Sequence, residues 1–271
     1  MRLARAHGLG NDYLVLEGGG PLTPELVRAL CDRHRGVGAD GVLEPRAAAG
    51  TLRGVRIWNP DGSIAEKSGN GLRIFAWWLT TRGEPASCTL WTGTHEVRCR
   101  VRGTEVEVDM GPATFEDPVE ALIQLGDGVR PAVVVSVGNP HCVLFVDAPD
   151  LDALPWREWG AELETHPRFP NRTNVQVARL RGDGGVEIRV WERGAGPTLA
   201  SGSSACAVAA AAVETGRIAA GRVPVHMPGG TLQVSVGPTL VLEGPVEQVG
   251  VFEVDPGWLA TRTASASFPR V

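Results

Sequence analysis

Two stretches of the chain make the same move 133 residues apart. "EKSGNGLRIFAWWL" (66–79) and "LASGSSACAVAAAA" (199–212) each set a Ser-Gly-polar turn directly before a long apolar run. Such a turn suits a helix start, because serine caps the first turn and glycine leaves the backbone free to enter it. Asn59 precedes Ser68 by nine residues, and Glu192 precedes Ser201 by nine. The flanking order repeats as well. The first half runs strand, "GNDY", strand, helix, strand, "WNPDGS", "SGNG", long helix and strands. The second runs "VGNPHC", strand, helix, "TNV" strand, "VWERGAG", "SGSS", long helix and strands. A chain that repeats an α+β unit in this way is expected to fold as two like domains related by a pseudo-two-fold axis.

Strand signals dominate both halves. "YLVLEG", "GVRIWN", "HEVRCRVRG", "TEVEVDMG", "AVVVSVG", "VEIRVWERG" and "TLQVSVG" are short, β-branched and separated by Gly, Pro or Asp, as antiparallel sheets require. Helical periodicity is confined to 23–33, 69–82, 151–163 and 202–215. The expected fold is therefore α+β: two pseudo-symmetric domains, each a mostly antiparallel sheet wrapped around a long central helix, with the active site in the cleft between them. "CAVAAAAV" fits a helix buried on nearly all sides. The expected domains are 1–112 together with about 245–271, and 113–244, with "GPATFEDP" (111–118) as the linker.

Composition narrows the class. With 271 residues, 43% of them hydrophobic and 21% charged, the chain can bury a full core. A net charge of −5 argues against a nucleic-acid partner. No apolar leader or run of roughly 20 apolar residues suggests a membrane, so the cytoplasm is the expected location. The five cysteines (Cys31, Cys88, Cys99, Cys142, Cys206) form no C-x-x-C pair, and the histidines carry no ligand spacing, so no metal site is expected. Lys67 is the only lysine, which makes Schiff-base chemistry of the pyridoxal type a poor fit.

The polar residues of the repeated turns point to a small ligand. All six asparagines (Asn11, Asn59, Asn70, Asn139, Asn171, Asn174) fall in such turns. Asparagine suits turns in its own right. A set of side-chain amides can also donate to a carboxylate and accept from an ammonium, which suits an amino acid. Each Ser-Gly turn brings unpaired backbone N–H groups and the positive end of a helix dipole. The two glycines flanking Asn70 exceed what capping needs and let a ligand approach the backbone. In "VWERGAG", Arg193 suits a distal carboxylate and Glu192 an ammonium or a place beside Ser201; a plain salt bridge is the ordinary alternative. His141, after a Gly-Asn-Pro turn, suits a cleft mouth or a satisfied core position.

Over nearly the whole chain these residues resemble the diaminopimelate epimerase family. "HGLGNDY" (7–13), "RHRGVGADG" (33–41), "NPDGSIAEKSGNGLRIFA" (59–76), "GNPHCVLFV" (138–146), "RTNVQVA" (172–178) and "ERGAGPTLASGSSACA" (192–207) are similar to its motifs, in order. The resemblance implies a two-base epimerase that needs no cofactor and converts LL- to meso-diaminopimelate, in lysine and cell-wall precursor biosynthesis. It also implies a small amino acid as substrate and a homodimer. Carried over by position, Asn11, Asn59, Asn139, Asn174, Glu192 and Arg193 would bind substrate. Gly69, Asn70, Gly202 and Ser203 would supply backbone donors at the two helix ends.

The two catalytic positions are cysteine in the family and are Ser68 and Ser201 here. A thiol titrates near 8.5, so a helix N-terminus can hold it as thiolate; an alkanol is far less acidic and needs a neighbour to take its proton. His141 and Glu192 are the expected neighbours, His141 for Ser68 and Glu192 for Ser201. A racemase or isomerase for a different amino acid, and an amino-acid-binding protein that has lost turnover, are the alternatives.

Overall fold

A computed structural model describes residues 1–263, and the chain divides into two units: Met1–Val106 with the segment from Pro245 on, and Glu107–Gly244. The first unit opens with the antiparallel hairpin β1 (Arg2–Gly8) and β2 (Asn11–Gly18), followed by helix α1 (Pro24–Cys31). β3 (Val42–Arg46) lies parallel to β2, and β4 (Arg53–Trp58) antiparallel to β3. The short β5 (Ile64–Ala65) leads into α2 (Gly69–Thr80), β6 (Ser87–Trp91) and β7 (Glu96–Arg102). β8 (Glu105–Gly111) carries the chain on.

The second unit repeats this order. A hairpin of β9 (Thr114–Leu125) and β10 (Gly128–Ser136) leads to β11 (Pro140–Phe145), helix α3 (Trp156–Glu164), β12 (Asn174–Leu180) and β13 (Val186–Glu192). The short β14 (Gly196–Thr198), helix α4 (Gly202–Glu214), β15 (Arg222–Met227), β16 (Gly230–Val236) and β17 (Leu240–Pro245) follow. β18 (Glu247–Glu253) then pairs antiparallel with β1, and α5 (Pro256–Thr263) completes the described chain.

Pairing shows the same repeat. β2 and β3 are parallel, as are β11 and β12; β4 and β6 are parallel, as are β13 and β15. Each of these pairs is joined across a helix, which a parallel connection requires. The other strand pairs described within the two units are antiparallel. Two like-folded α+β units are therefore present.

Each long helix is the core of its own unit. α2 packs against β1, β2, β6 and β7, and α4 against β10, β11, β12, β13, β15 and β16. Ala205, Ala207, Ala209 and Ala211 are wholly buried, so the alanine run lets strands close on the helix from several sides. α1 and α3 cover the outer face of their sheets, α1 through Leu26, Val27 and Leu30 and α3 through Trp156, Trp159 and Leu163.

Three expectations are corrected. The span 111–118 is not a linker: Thr114 and Phe115 pair with Ser136 and Val135 as part of β9. The register breaks between Val133 and Val135, so Asp117 and Pro118 fall where no ladder N–H is needed, which is how a turn-forming composition fits inside a strand. The helix expected at 151–163 starts only at Trp156, with Pro155 at its cap, because the residue before a proline disfavours helical geometry. α1 stops at Cys31, since the Asp32 carboxylate takes the amides of His34 (2.8 Å) and Arg35 (2.9 Å) and turns the chain. α5 carries too few apolar residues to show a period, with only Trp258 and Leu259 packed on the core. Among the described residues no helix is long and apolar enough to cross a membrane.

The fit around α4 yields a stability prediction. Ala209→Leu forces a larger side chain into a full core and should cost about 1–3 kcal/mol, read as a lower urea midpoint. Leu180→Ala, at an exposed position, should stay within about 0.5 kcal/mol of the parent.

Candidate active site

The two Ser-Gly turns are helix caps of nearly identical geometry. Ser68 has φ −140° and ψ 115°, and Ser201 has φ −142° and ψ 121°. The first intrahelical bonds run from Leu72 N to Ser68 O (2.9 Å) and from Ala205 N to Ser201 O (3.0 Å). The amides of Gly69 and Asn70, and of Gly202 and Ser203, therefore precede the helical ladder.

The hydroxyls differ. Ser68 Oγ accepts from the Gly71 amide (3.1 Å) and shares a hydrogen bond with Tyr13 Oη (2.9 Å). A Cβ on Gly71 would lie 3.3 Å from that oxygen and 3.1 Å from Leu43 Cδ2, so a larger residue there would press on the cap and on Leu43. Ser201 makes no side-chain cap, and its hydroxyl bonds no other described residue, although Ser201 is 5% exposed. Its amide donates to Met227 Sδ (3.4 Å). Capping thus accounts for Ser68 and leaves Ser201 unexplained as a structural residue.

In the first unit the asparagines form a relay. The β1–β2 turn delivers Asn11, whose Nδ2 donates to Asp40 Oδ2 (2.9 Å). Asn70 Nδ2 donates to Asn11 Oδ1 (2.9 Å), and the buried Arg73 donates through Nη2 to Asn70 Oδ1 (2.6 Å). Each amide spends one N–H on this relay and keeps one. Arg33 Nη2 joins Asp40 (2.6 Å) to Asp12 (2.7 Å) behind it, with Arg5 also on Asp12. Burial raises the Asp12 carboxyl, and the two guanidiniums outweigh it, holding its pKa below the usual range. Asn59 sits in the turn after β4 and donates through Nδ2 to Ser63 Oγ (2.9 Å).

The second unit holds a different set. His141 is wholly buried, with Nε2 bonded to Asn139 Oδ1 (3.0 Å) and Nδ1 to Gln176 Nε2 (3.0 Å); Gln176 Nε2 also donates to Ser204 Oγ (2.9 Å). Burial, with the charge of Arg193 added, pushes the imidazole down to about 3. Asn174 Nδ2 donates to the Pro140 carbonyl (2.9 Å), and its Oδ1 accepts from the Arg193 amide (3.0 Å). Glu192 is the last residue of β13, opposite Gly196 of β14. The loop it enters is fixed by Glu164 of α3, which takes the Gly194 amide (2.8 Å) and Trp191 Nε1 (2.7 Å). The Arg193 guanidinium reaches the Asn171 carbonyl at 3.4 Å.

Within each unit these bonds show what the expected groups engage. Both ring nitrogens of His141 are engaged within its unit whichever way the neighbouring amides are oriented, and Ser68 bonds Tyr13 and Gly71 within its own. Tyr13, Asp40, Arg73, Gln176 and Ser204 were not singled out by sequence, although each lies inside a quoted motif. The usable signal was phase: Arg73 interrupts an apolar helix, and Gln176 stands between two buried valines. Among the described residues no three of His, Cys, Asp and Glu group to hold a metal ion.

The sequence model of diaminopimelate epimerase matches residues 3–116 and 133–248. The chain is 39% identical to diaminopimelate epimerase 2 of Nostoc sp., covering 87% of this chain and 88% of that protein. It is 41% identical to the diaminopimelate epimerase of Desulforudis audaxviator, covering 92% and 97%. Among solved structures it is similar in fold to a hydroxyproline epimerase from Agrobacterium vitis, with a TM-score of 0.76 at 18% identity, covering 94% of this chain and 93% of that one. A probable proline racemase from Agrobacterium radiobacter gives 0.74 at 17% identity over the same shares. The chain belongs to the diaminopimelate epimerase family.

Proposed function

We propose that this chain is a diaminopimelate epimerase that works without a cofactor, with Ser68 and Ser201 in the acid–base positions. The observation that carries this reading is the pair of serine caps with matching backbone geometry, one of them bearing a hydroxyl committed to nothing in the described chain. One serine removes the α-proton and the other returns a proton to the opposite face, each exchanging its own hydroxyl proton with a neighbouring base, for Ser201 the Glu192 carboxylate nine residues before it. The first-turn amides of α2 and α4, at the positive ends of two helix dipoles, receive the α-carboxylate. Asn11 and Asn70 each offer their remaining N–H, Asn139 offers its Nδ2, and Asn59 lies in the turn nine residues before Ser68. Arg193 takes the distal carboxylate and Glu192 an ammonium. Asn174 and His141 are positioning residues, Asn174 tying β11 to the Arg193 loop and His141 orienting Asn139.

Incubation of LL-diaminopimelate with the protein in deuterated water should place deuterium at the α-carbon and yield a mixture with the meso form. Ser201→Ala should lower the exchange rate by about 10²–10⁴ while leaving binding largely intact. Ser68→Cys/Ser201→Cys should raise exchange, since a thiolate at a helix N-terminus needs no proton partner. Exchange with another amino acid in place of diaminopimelate, or tight binding with no exchange, would overturn the assignment in favour of a different racemase or of a binding protein.

The buried His141 gives a pH prediction. The folded imidazole stays neutral down to about 3, whereas in the unfolded chain it titrates near 6.5. Between those values the unfolded chain binds the extra proton, so this group lowers stability as pH falls from about 6.5 toward 3, with no loss above that window. Urea unfolding at a series of pH values should therefore show a shallower acid slope in His141→Gln than in the parent.

A further inference from the structure

We propose that Tyr13 is the proton partner of Ser68, the group that lets an alkanol stand where the family has a thiol. The inference rests on the epimerase reading for its chemistry and on the first unit alone for its geometry. Ser68 Oγ has one proton and two lone pairs, and the Gly71 amide occupies one lone pair. The contact with Tyr13 at 2.9 Å decides the use of the rest. When the phenol donates, both lone pairs are taken and only the serine proton is left to face a substrate, which makes Ser68 an acid. When Ser68 donates to the phenolate, one lone pair is left, which makes it a base.

The two roles are connected by one proton. As base, Ser68 takes the α-proton through its open lone pair, the C–H electron pair stays on the α-carbon, and the original hydroxyl proton passes to the Tyr13 phenolate. As acid, Ser68 gives its proton to the carbanion and recovers one from the Tyr13 phenol, which becomes phenolate. The serine is neutral before and after, and the charge lies on the phenol oxygen, several pK units more acidic than an alkanol.

The surroundings hold this pair in place. Tyr13 is 6% exposed on β2, and a Cβ on Gly41 would lie 2.6 Å from its ring carbon Cε1 and 2.4 Å from the Trp58 carbonyl. The ring therefore rests against bare backbone, with little room to swing away from Ser68.

Tyr13→Phe removes only the hydroxyl. It should lower the rate constant for α-proton exchange by about 10²–10⁴ with KM little changed, and in the Ser68→Cys background the same substitution should cost less than about tenfold. Equal losses in the two backgrounds would mean a packing role and overturn the proposal. Tyr13 is the only tyrosine, so phenolate absorbance titrates it alone. Its midpoint should move in Ser68→Ala, and an unmoved midpoint would also overturn the proposal. If the parent exchanges no diaminopimelate the epimerase assignment fails, and the titration still decides whether the two oxygens share a proton.

Discussion

A helix that begins inside a protein leaves backbone N–H groups where water cannot satisfy them, and this chain does so twice. Gly69 and Asn70 at one end, and Gly202 and Ser204 at the other, are buried. That condition explains the local sequence. An extended cap residue must turn the chain, small residues must keep the approach open, and a hydroxyl or an anion must meet the donors. The surrounding strands are in turn required to keep each helix dry on its flanks, which the alanine run of α4 and the apolar faces of α2 permit.

The two ends meet the same condition with different chemistry. Beside α2 the polar groups are carboxylates, guanidiniums and amides bonded in series from Arg33 through Asp40, Asn11 and Asn70 to Arg73. Beside α4 the groups bonded in series are neutral, an imidazole, a carboxamide and a hydroxyl, with Arg193 the charge felt by the imidazole. Backbone pseudo-symmetry is close at the caps, yet one hydroxyl is held by two partners and the other by none in the described chain. An epimerase has no need of equivalent groups, since its two proton carriers meet ligands that differ in configuration at the α-carbon.

Much of this was legible in the sequence. The duplicated turn and the nine-residue spacing marked the caps, and β-branched runs marked the strands, because both depend on local chemistry. Partner choice was not legible. His141 and Glu192 were placed near the serines by the family resemblance, but which nitrogen of His141 meets which amide depends on how β11, β12 and α4 stack. Tyr13 stands 55 residues before Ser68 and reads as an ordinary strand aromatic until β2 is placed beside the start of α2. The strand inside 111–118 was hidden for the opposite reason: composition spoke for a turn, and only the pairing with β10 reveals the break that absorbs Pro118.

The grip of Glu164 on the loop after β13 has a thermodynamic consequence. With the Gly194 amide, Trp191 and Arg172 all on one carboxylate, the loop carrying Glu192 and Arg193 is already ordered before any ligand arrives. A ligand meeting that loop gives up its own freedom and none of the loop's, so the entropy of association is set by the small molecule and its released water. Were Arg193 to take a distal carboxylate as proposed, selectivity would rest on shape: a ligand with a shorter or longer reach would find a wall that does not follow it, and would lose affinity without inducing a second arrangement.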